Sequence, residues 1–75
     1  MEMVDVTIHI DESVDHERRV KIADIVRESK GVMGVAHHDE KPHLMIVEYN
    51  PEMVSAKDLL QLVRGQGVHA ELVGL

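Results

Sequence analysis

Apolar and polar side chains alternate strictly along VDVTIHI, residues 4–10. Alternation with a period of two places every apolar side chain on one face of an extended chain, so this segment predicts a β-strand with one buried face. Strand patterns also cover residues 32–38 and 43–49, and residues 68–72 alternate again. Four half-buried strands predict a sheet, one face of which must be covered by another layer.

Two segments with helical periodicity lie between these strands. Between residues 15 and 30 the apolar side chains recur at helical spacing, which predicts an amphipathic helix. Ser13 or Asp15 can cap its start, and Gly31 is expected to follow its end. The predicted buried stripe consists of Val20, Ala23 and Val26, widened by Ile22 and Ile25.

The second predicted helix covers residues 55–64. Ser55 and Asp58 form an S-x-x-D capping pattern just before a run of leucine and valine. The segment GQG that follows supplies two glycines, which end a helix readily.

The order of these elements predicts the fold. DEKP, between the second and third strands, contains the residue types of a hairpin turn. The complete order is strand, helix, strand, strand, helix, strand, which corresponds to two right-handed crossovers around a hairpin. We therefore predict an α+β fold, a ferredoxin-like βαββαβ sandwich in which two helices cover one face of a four-stranded antiparallel sheet. Residues 1–75 are expected to form this single domain.

Charge and composition exclude several classes of function. The chain has 14 acidic and 8 basic residues, and its net charge of -6 disfavours binding to nucleic acid and to anionic membranes. Tyr49 is the only aromatic side chain, so a stacking surface for bases is missing. Cations or basic partners fit this composition better.

The absence of Cys excludes disulfides and thiolate chemistry. No apolar run is long enough for a signal or membrane segment, so we expect a cytoplasmic location. Ser13 has no His and carboxylate partners placed for a catalytic triad, and no glycine-rich phosphate loop is present. We therefore expect no enzymatic activity.

Several motifs along the whole chain resemble one known family. RRV after the first turn, GVMGV at the second strand, VEYNPEMVSAKDLLQLV and the ending GQGVHAELVGL are similar to the heavy-metal-associated domain. That family has the ferredoxin-like fold and includes small copper chaperones and N-terminal modules of metal-transporting P-type ATPases. The resemblance implies a role in binding or moving a metal ion.

The metal-binding motif itself departs from the family pattern. In the family, the turn after the first strand contains Met-x-Cys-x-x-Cys, whose two thiolates hold the ion. Counting back from RRV, those two positions correspond to Ser13 and His16 here. Cu(I) prefers sulfur ligands, so this replacement disfavours Cu(I). Imidazole and carboxylate suit Zn(II), Ni(II), Co(II) or Cu(II), which need three or more ligands.

Topology suggests where such ligands could come from. In the predicted fold the first turn, the hairpin tip and the GQG turn all lie at the same end of the sheet. Six His are present, and most of them lie in or next to these turns. The predicted metal ligands are His16, His37, His43, Asp15 and Glu12. His9 and His69, with Glu71, are a second possible ion site or a pH-sensitive contact.

Structural roles are the alternative for each of these residues. His16 can be a solvated residue of the first helical turn, and Asp15 can act only as a helix cap. Met33, Met45 and Met53 are expected to fill the small core.

The sheet face opposite the helices, which we call the open sheet face, suggests a different function. We expect Leu44 and Ile46 to be exposed there, in an apolar patch ringed by His and Glu. Such a patch predicts a homodimer, or docking to a metal-handling protein. The two functional hypotheses are thus a domain that binds or helps to traffic a divalent metal ion, and a metal-free interaction or regulatory module. The residues expected on the open sheet face are Thr7, His9, Gly34, Ala36, Leu44, Ile46, Glu48, His69 and Glu71.

Overall fold

The computed structural model describes residues 2–74, which form six elements in the predicted order. The two helices pack on one face of one antiparallel sheet, in which the second strand of the chain lies at one edge, followed by the third, the first and the fourth. The predicted ferredoxin-like βαββαβ fold is therefore confirmed. The elements are β1 (Val4–Ile10), α1 (His16–Arg27), β2 (Val32–His38), β3 (Lys41–Tyr49), α2 (Ala56–Arg64) and β4 (Ala70–Val73).

Helix α1 is shorter than predicted because both of its ends are capped locally. Asp15 has extended backbone geometry and its carboxylate accepts a hydrogen bond from the Arg18 amide at 2.8 Å. At the other end, the Ser29 amide bonds to the Val26 carbonyl in a tighter turn. The chain then reverses at Gly31, whose φ of 96° lies in the left-handed region that favours glycine.

The core lies between the sheet and the helices. It is built from aliphatic side chains, with Met45 and Tyr49 as the largest additions. Its fully buried members from the sheet are Ile8, Ile10, Met45 and Val47, and those from the helices are Ile22, Ala23, Val26, Leu59 and Val63.

The buried face of α1 differs from the predicted stripe. Ile22, Ala23 and Val26 are buried as expected, but Val20 is only half-buried. The first buried position is instead Arg19, whose residue exposure is 3%. A charged residue was not expected there, and its partners come from the hairpin and from the turn before the helix.

The methionines are also not all in the core. Met45 is buried, whereas Met33 and Met53 are 64% and 49% exposed. Met33 lies where the pairing of β2 and β3 shifts by one residue, between Val32 and Gly34. Such a shift turns the extra side chain away from the regular alternation.

A second shift disturbs the end of the hairpin. The pairing of β2 with β3 moves from His37 and Met45 directly to His38 and Lys41, so residues 42–44 have no regular partners on β2. Asp39 and Glu40 alone form the turn, and Pro42 occupies the irregular segment, as is usual for proline in a sheet. The irregularity changes the direction of His43 and leaves Leu44 half-buried rather than exposed.

Candidate functional site

Three turns meet at one end of the sheet. The turn between β1 and α1 contacts the turn between α2 and β4 through a hydrogen bond from the Asp11 amide to the His69 carbonyl, at 2.8 Å. The same turn contacts the hairpin, because His16 Nδ1 lies 2.9 Å from Asp39 Oδ1. The three turns therefore lie together, as predicted from the topology.

Arg19 organises the hairpin side of this end. Its Nη1 donates to the Val14 carbonyl at 3.3 Å, its Nε donates to His37 Nδ1 at 3.3 Å, and its Nη2 forms an ion pair with Asp39. The Asp39 carboxylate thus bridges His16 and the buried guanidinium. Hydrogen bonding from His16 holds the pKa of Asp39 below its usual value.

This arrangement leaves little coordinating capacity at His37. Burial, followed by the nearby charge of Arg19, holds the pKa of His37 below its usual value. A guanidinium can only donate hydrogen bonds, so His37 Nδ1 must accept, and the ring proton of neutral His37 is on Nε2. His16 and His37 are close, with ring centroids 6.4 Å apart, but Arg19 already supplies a cation beside them.

Glu12 and Asp15 are occupied by other contacts. Glu12 accepts two hydrogen bonds from His69, from the backbone N–H to Oε1 at 2.8 Å and from the ring Nδ1 to Oε2 at 2.6 Å. Asp15 caps α1 through its Oδ1. Asp15 therefore acts within its own turn, whereas Glu12 links that turn to the turn before β4.

His43 lies beside β1, away from His16 and His37. Its Nδ1 donates to the Ile10 carbonyl at 2.7 Å, and its ring stacks on that of His9 with a centroid separation of 5.6 Å. A neutral imidazole that donates from Nδ1 has its lone pair on Nε2, which is the usual state of a histidine ready to bind a metal.

The structure assembles a different group of ligand atoms on the rim of the open sheet face. One ligand atom each from His9, Asp11 and Glu71 lies within 4.8 Å of the other two. His9 Nδ1 is 3.1 Å from Asp11 Oδ1 and 3.8 Å from Glu71 Oε1. Ligands around one tetrahedral Zn(II) are roughly 3.3 Å apart, given metal bonds of about 2.0 to 2.2 Å. Small rotations would therefore suffice to close this triad around an ion.

The strand register explains why these three residues converge. His9 and Glu71 are paired across β1 and β4, so their side chains leave the same face of the sheet. Asp11 follows His9 by two positions along the extended chain, which returns its side chain to that face. The side chains of His9, Asp11 and Glu71 are 38%, 54% and 66% exposed, so the triad is open to solvent.

Of the five predicted ligands, the structure brings His16 and His37 together but places His43 beside His9. The second set considered from the sequence has His9 and Glu71 in the same group, whereas His69 is paired with Glu12. Asp11 was missed. The period of two from His9 was the sequence signal that could have identified it.

Comparisons with known proteins agree on the architecture. No family model matches the chain, and no curated protein matches it. Among solved structures, oxidized MerP from Ralstonia metallidurans superposes with a TM-score of 0.86 at 14% identity, covering 97% of this chain and 100% of that one.

Two copper proteins superpose similarly well. The N-terminal domain of a potential copper-translocating P-type ATPase from Bacillus subtilis, in its Cu(I)-loaded state, gives a TM-score of 0.83 at 22% identity, covering 97% of this chain and 90% of that one. The apo form of the copper chaperone of Enterococcus hirae gives 0.81 at 19% identity, covering 91% of this chain and 98% of that one.

Within residues 2–74, neither helix has the length and apolar character needed to cross a membrane. The chain has the fold of the heavy-metal-associated domains, in a variant that lacks the cysteine pair.

Proposed function

We propose that this domain binds a divalent transition-metal ion through imidazole and carboxylate, as a metal-handling module without catalytic activity. The observation that carries the proposal is the convergence of His9, Asp11 and Glu71 within 4.8 Å. Solved structures with the same fold include copper-binding proteins, which supports metal handling as the function of this fold here.

The donor set decides which ions are expected. One nitrogen and two carboxylate oxygens suit Zn(II), Ni(II), Co(II) and Cu(II), whereas Cu(I) prefers sulfur. Three protein ligands leave at least one position for water or for a ligand from another molecule. Together with the exposure of the triad, this open position favours exchange of the ion over permanent structural binding.

Competitive titration of purified protein with Zn(II), Ni(II), Co(II), Cu(II) and Cu(I) tests the proposal. We expect saturable binding of a divalent ion and at least tenfold weaker binding in His9→Ala, equivalent to about 1.4 kcal/mol. His38→Ala is the matched control, because His38 is exposed and lies away from the triad. Equal losses in both variants, or tighter binding of Cu(I) than of every divalent ion, would contradict the proposal.

The turn between β1 and α1 is the second candidate location for the ion. His16 keeps Nε2 free while Asp39 holds its Nδ1, an arrangement that often supports a metal-bound histidine. Coordination by His37 there would require it to release Arg19. The same titration distinguishes the locations, since a site at the turn predicts weaker binding in His16→Ala and unchanged binding in His9→Ala.

A further inference from the structure

The open sheet face carries an apolar row that crosses all four strands. The register pairs Ala36 with Ile46, Ile46 with Thr7, and Thr7 with Val73. Ile46 and Val73 are 40% and 42% exposed, and Ala36 is also exposed. Val73 takes the place of Leu44, which was expected in this patch but is half-buried. Thr7 adds one hydroxyl to the row, but exposed apolar side chains gathered on one sheet face are typical of an interaction surface.

Acidic side chains border this row. Asp5 and Glu48 are directly paired across β1 and β3, on the side of the row away from the turns. Glu71 lies on the other side, opposite His9. Like charges placed opposite each other across a sheet destabilise it, so the Asp5 and Glu48 pair is a cost that a cationic partner would relieve.

Basic residues are distributed in the opposite way. Among the described residues the open sheet face has no Lys or Arg. Lys41 lies at the hairpin, and the others lie on or next to the helices. The open sheet face is therefore acidic and apolar, whereas the helix side carries charges of both signs. Arg64 reaches the rim of the open face, where it lines a cavity with Asp11 and Glu71. The basic residues outside the hairpin are Arg18, Arg19, Lys21, Arg27, Lys30, Lys57 and Arg64.

We propose that the open sheet face docks a different protein, through a partner surface in which Lys or Arg surrounds an aliphatic centre. Such a surface would bury Ile46 and Val73 and place cations opposite Asp5, Glu48 and Glu71. Complementary charge would increase the association rate and select against acidic partners. Glu71 is shared with the proposed metal site, whereas Asp5, Glu48 and the apolar row are not.

A second copy of the chain fits this face less well. A two-fold symmetric dimer through the open sheet face would bring two sets of carboxylates together without basic residues between them. Contact between the open sheet face of one copy and the helices of the next is heterologous and does not close into a dimer. It would also oppose carboxylates, because the helices expose Glu17, Asp24 and Asp58. A separate basic partner would both neutralise the carboxylates and cover the apolar row.

Two synthetic amphipathic peptides provide the test, one built from Lys and Leu and its counterpart built from Glu and Leu. Each is titrated into isotope-labelled protein while amide NMR shifts are followed. We expect the basic peptide alone to bind, to shift residues of the apolar row and its acidic border, and to weaken as salt is added. Shifts confined to the helices, or equal binding of both peptides, would overturn the proposal.

Matched variants sharpen this test. Ile46→Lys is expected to weaken binding of the basic peptide at least tenfold, because it removes apolar surface and adds a repelling charge. Met53→Lys adds the same charge at a 49% exposed methionine outside the sheet, and should have little effect. Equal effects of the two variants would show nonspecific charge attraction and reject the docking surface.

Gly34→Lys is a second test of the same surface, in case Ile46→Lys fails to fold. A Cβ built at Gly34 meets no other atom within 4 Å, so a side chain fits there without disturbing the core. It should weaken peptide binding in the same direction. Sedimentation without peptide tests whether a second copy of the chain binds to this face. A concentration-dependent dimer that Ile46→Lys abolishes would assign the face to a second copy and overturn the proposal of a different protein.

Discussion

Glu12 uses both carboxylate oxygens to hold His69, one on the backbone N–H and one on ring Nδ1. This contact joins the turn before α1 to the turn before β4 across 57 positions of sequence. The hydrogen bond raises the pKa of His69 and lowers that of Glu12. Because both groups titrate, we expect the contact between the two turns to depend on pH.

Glu12→Gln is predicted to return the pKa of His69 toward its usual value. In the folded protein His69 has a raised pKa, so its contribution to stability is complete below about pH 6.5 and is lost as pH rises through the raised value. Glu12 has a lowered pKa, so its contribution is present above about pH 4.3 and is lost as pH falls through the lowered value. The variant should therefore reduce the free energy of unfolding most between these two pH values.

NMR titration of the His ring protons and urea unfolding at several pH values measure both effects. Glu52→Gln is the control, since it removes one exposed carboxylate at the other end of the sheet. In the unmodified protein His37 should lose its proton at lower pH than His69, because burial and Arg19 lower its pKa. The reverse order would show that the Arg19 and Glu12 contacts are absent in solution.

Arg19→Met is predicted to lower the free energy of unfolding by about 2 kcal/mol, because it leaves the Val14 carbonyl and the His37 ring without their donor. Methionine keeps much of the buried apolar stem. Arg18→Met is the matched control: Arg18 is exposed and, within residues 2–74, its side chain donates only to the Gln66 carbonyl, so its loss should cost less than about 0.5 kcal/mol. Equal unfolding midpoints for the two variants in urea would disprove a structural role for Arg19.

The burial of Arg19 could not be predicted from the sequence. The periodic pattern correctly predicted α1 and its buried Ile22, Ala23 and Val26, because apolar burial follows helical spacing. Burial of a charged residue depends instead on partners, and those of Arg19 lie at His37 and Asp39 on the hairpin. No local pattern around RRV contains that information.

The candidate metal site was likewise predictable from the sequence only in part. Topology correctly placed the three turns together, since it follows from the order and direction of the elements. Which histidines share a location depends on the irregular pairing near residues 42–44, which directs His43 toward His9. The grouping of His9 with Glu71 follows from regular strand register and was therefore within reach of the sequence.

Gly31→Ala is predicted to destabilise the protein by about 1 to 3 kcal/mol. Its φ of 96° is unfavourable for alanine, and the added Cβ would lie 2.8 Å from the Met53 Cβ. Gly34→Ala is the matched control in the same strand region, where the Cβ meets no atom within 4 Å, and it should be neutral or slightly stabilising. Thermal unfolding of both variants checks the difference, and similar losses would mean that the turn at Gly31 adopts another conformation.

Removal of metal is predicted to leave the fold intact. The core between the sheet and the helices contains no residue of the His9, Asp11 and Glu71 triad, and these three side chains lie on the opposite face of the sheet. Their loss of an ion therefore removes no apolar contact on which folding depends. Protein treated with a chelator should keep its circular dichroism spectrum, while a saturating divalent ion should raise the unfolding temperature only by the linkage expected from its affinity. Unfolding on chelation would show that the ion is structural and would contradict this prediction.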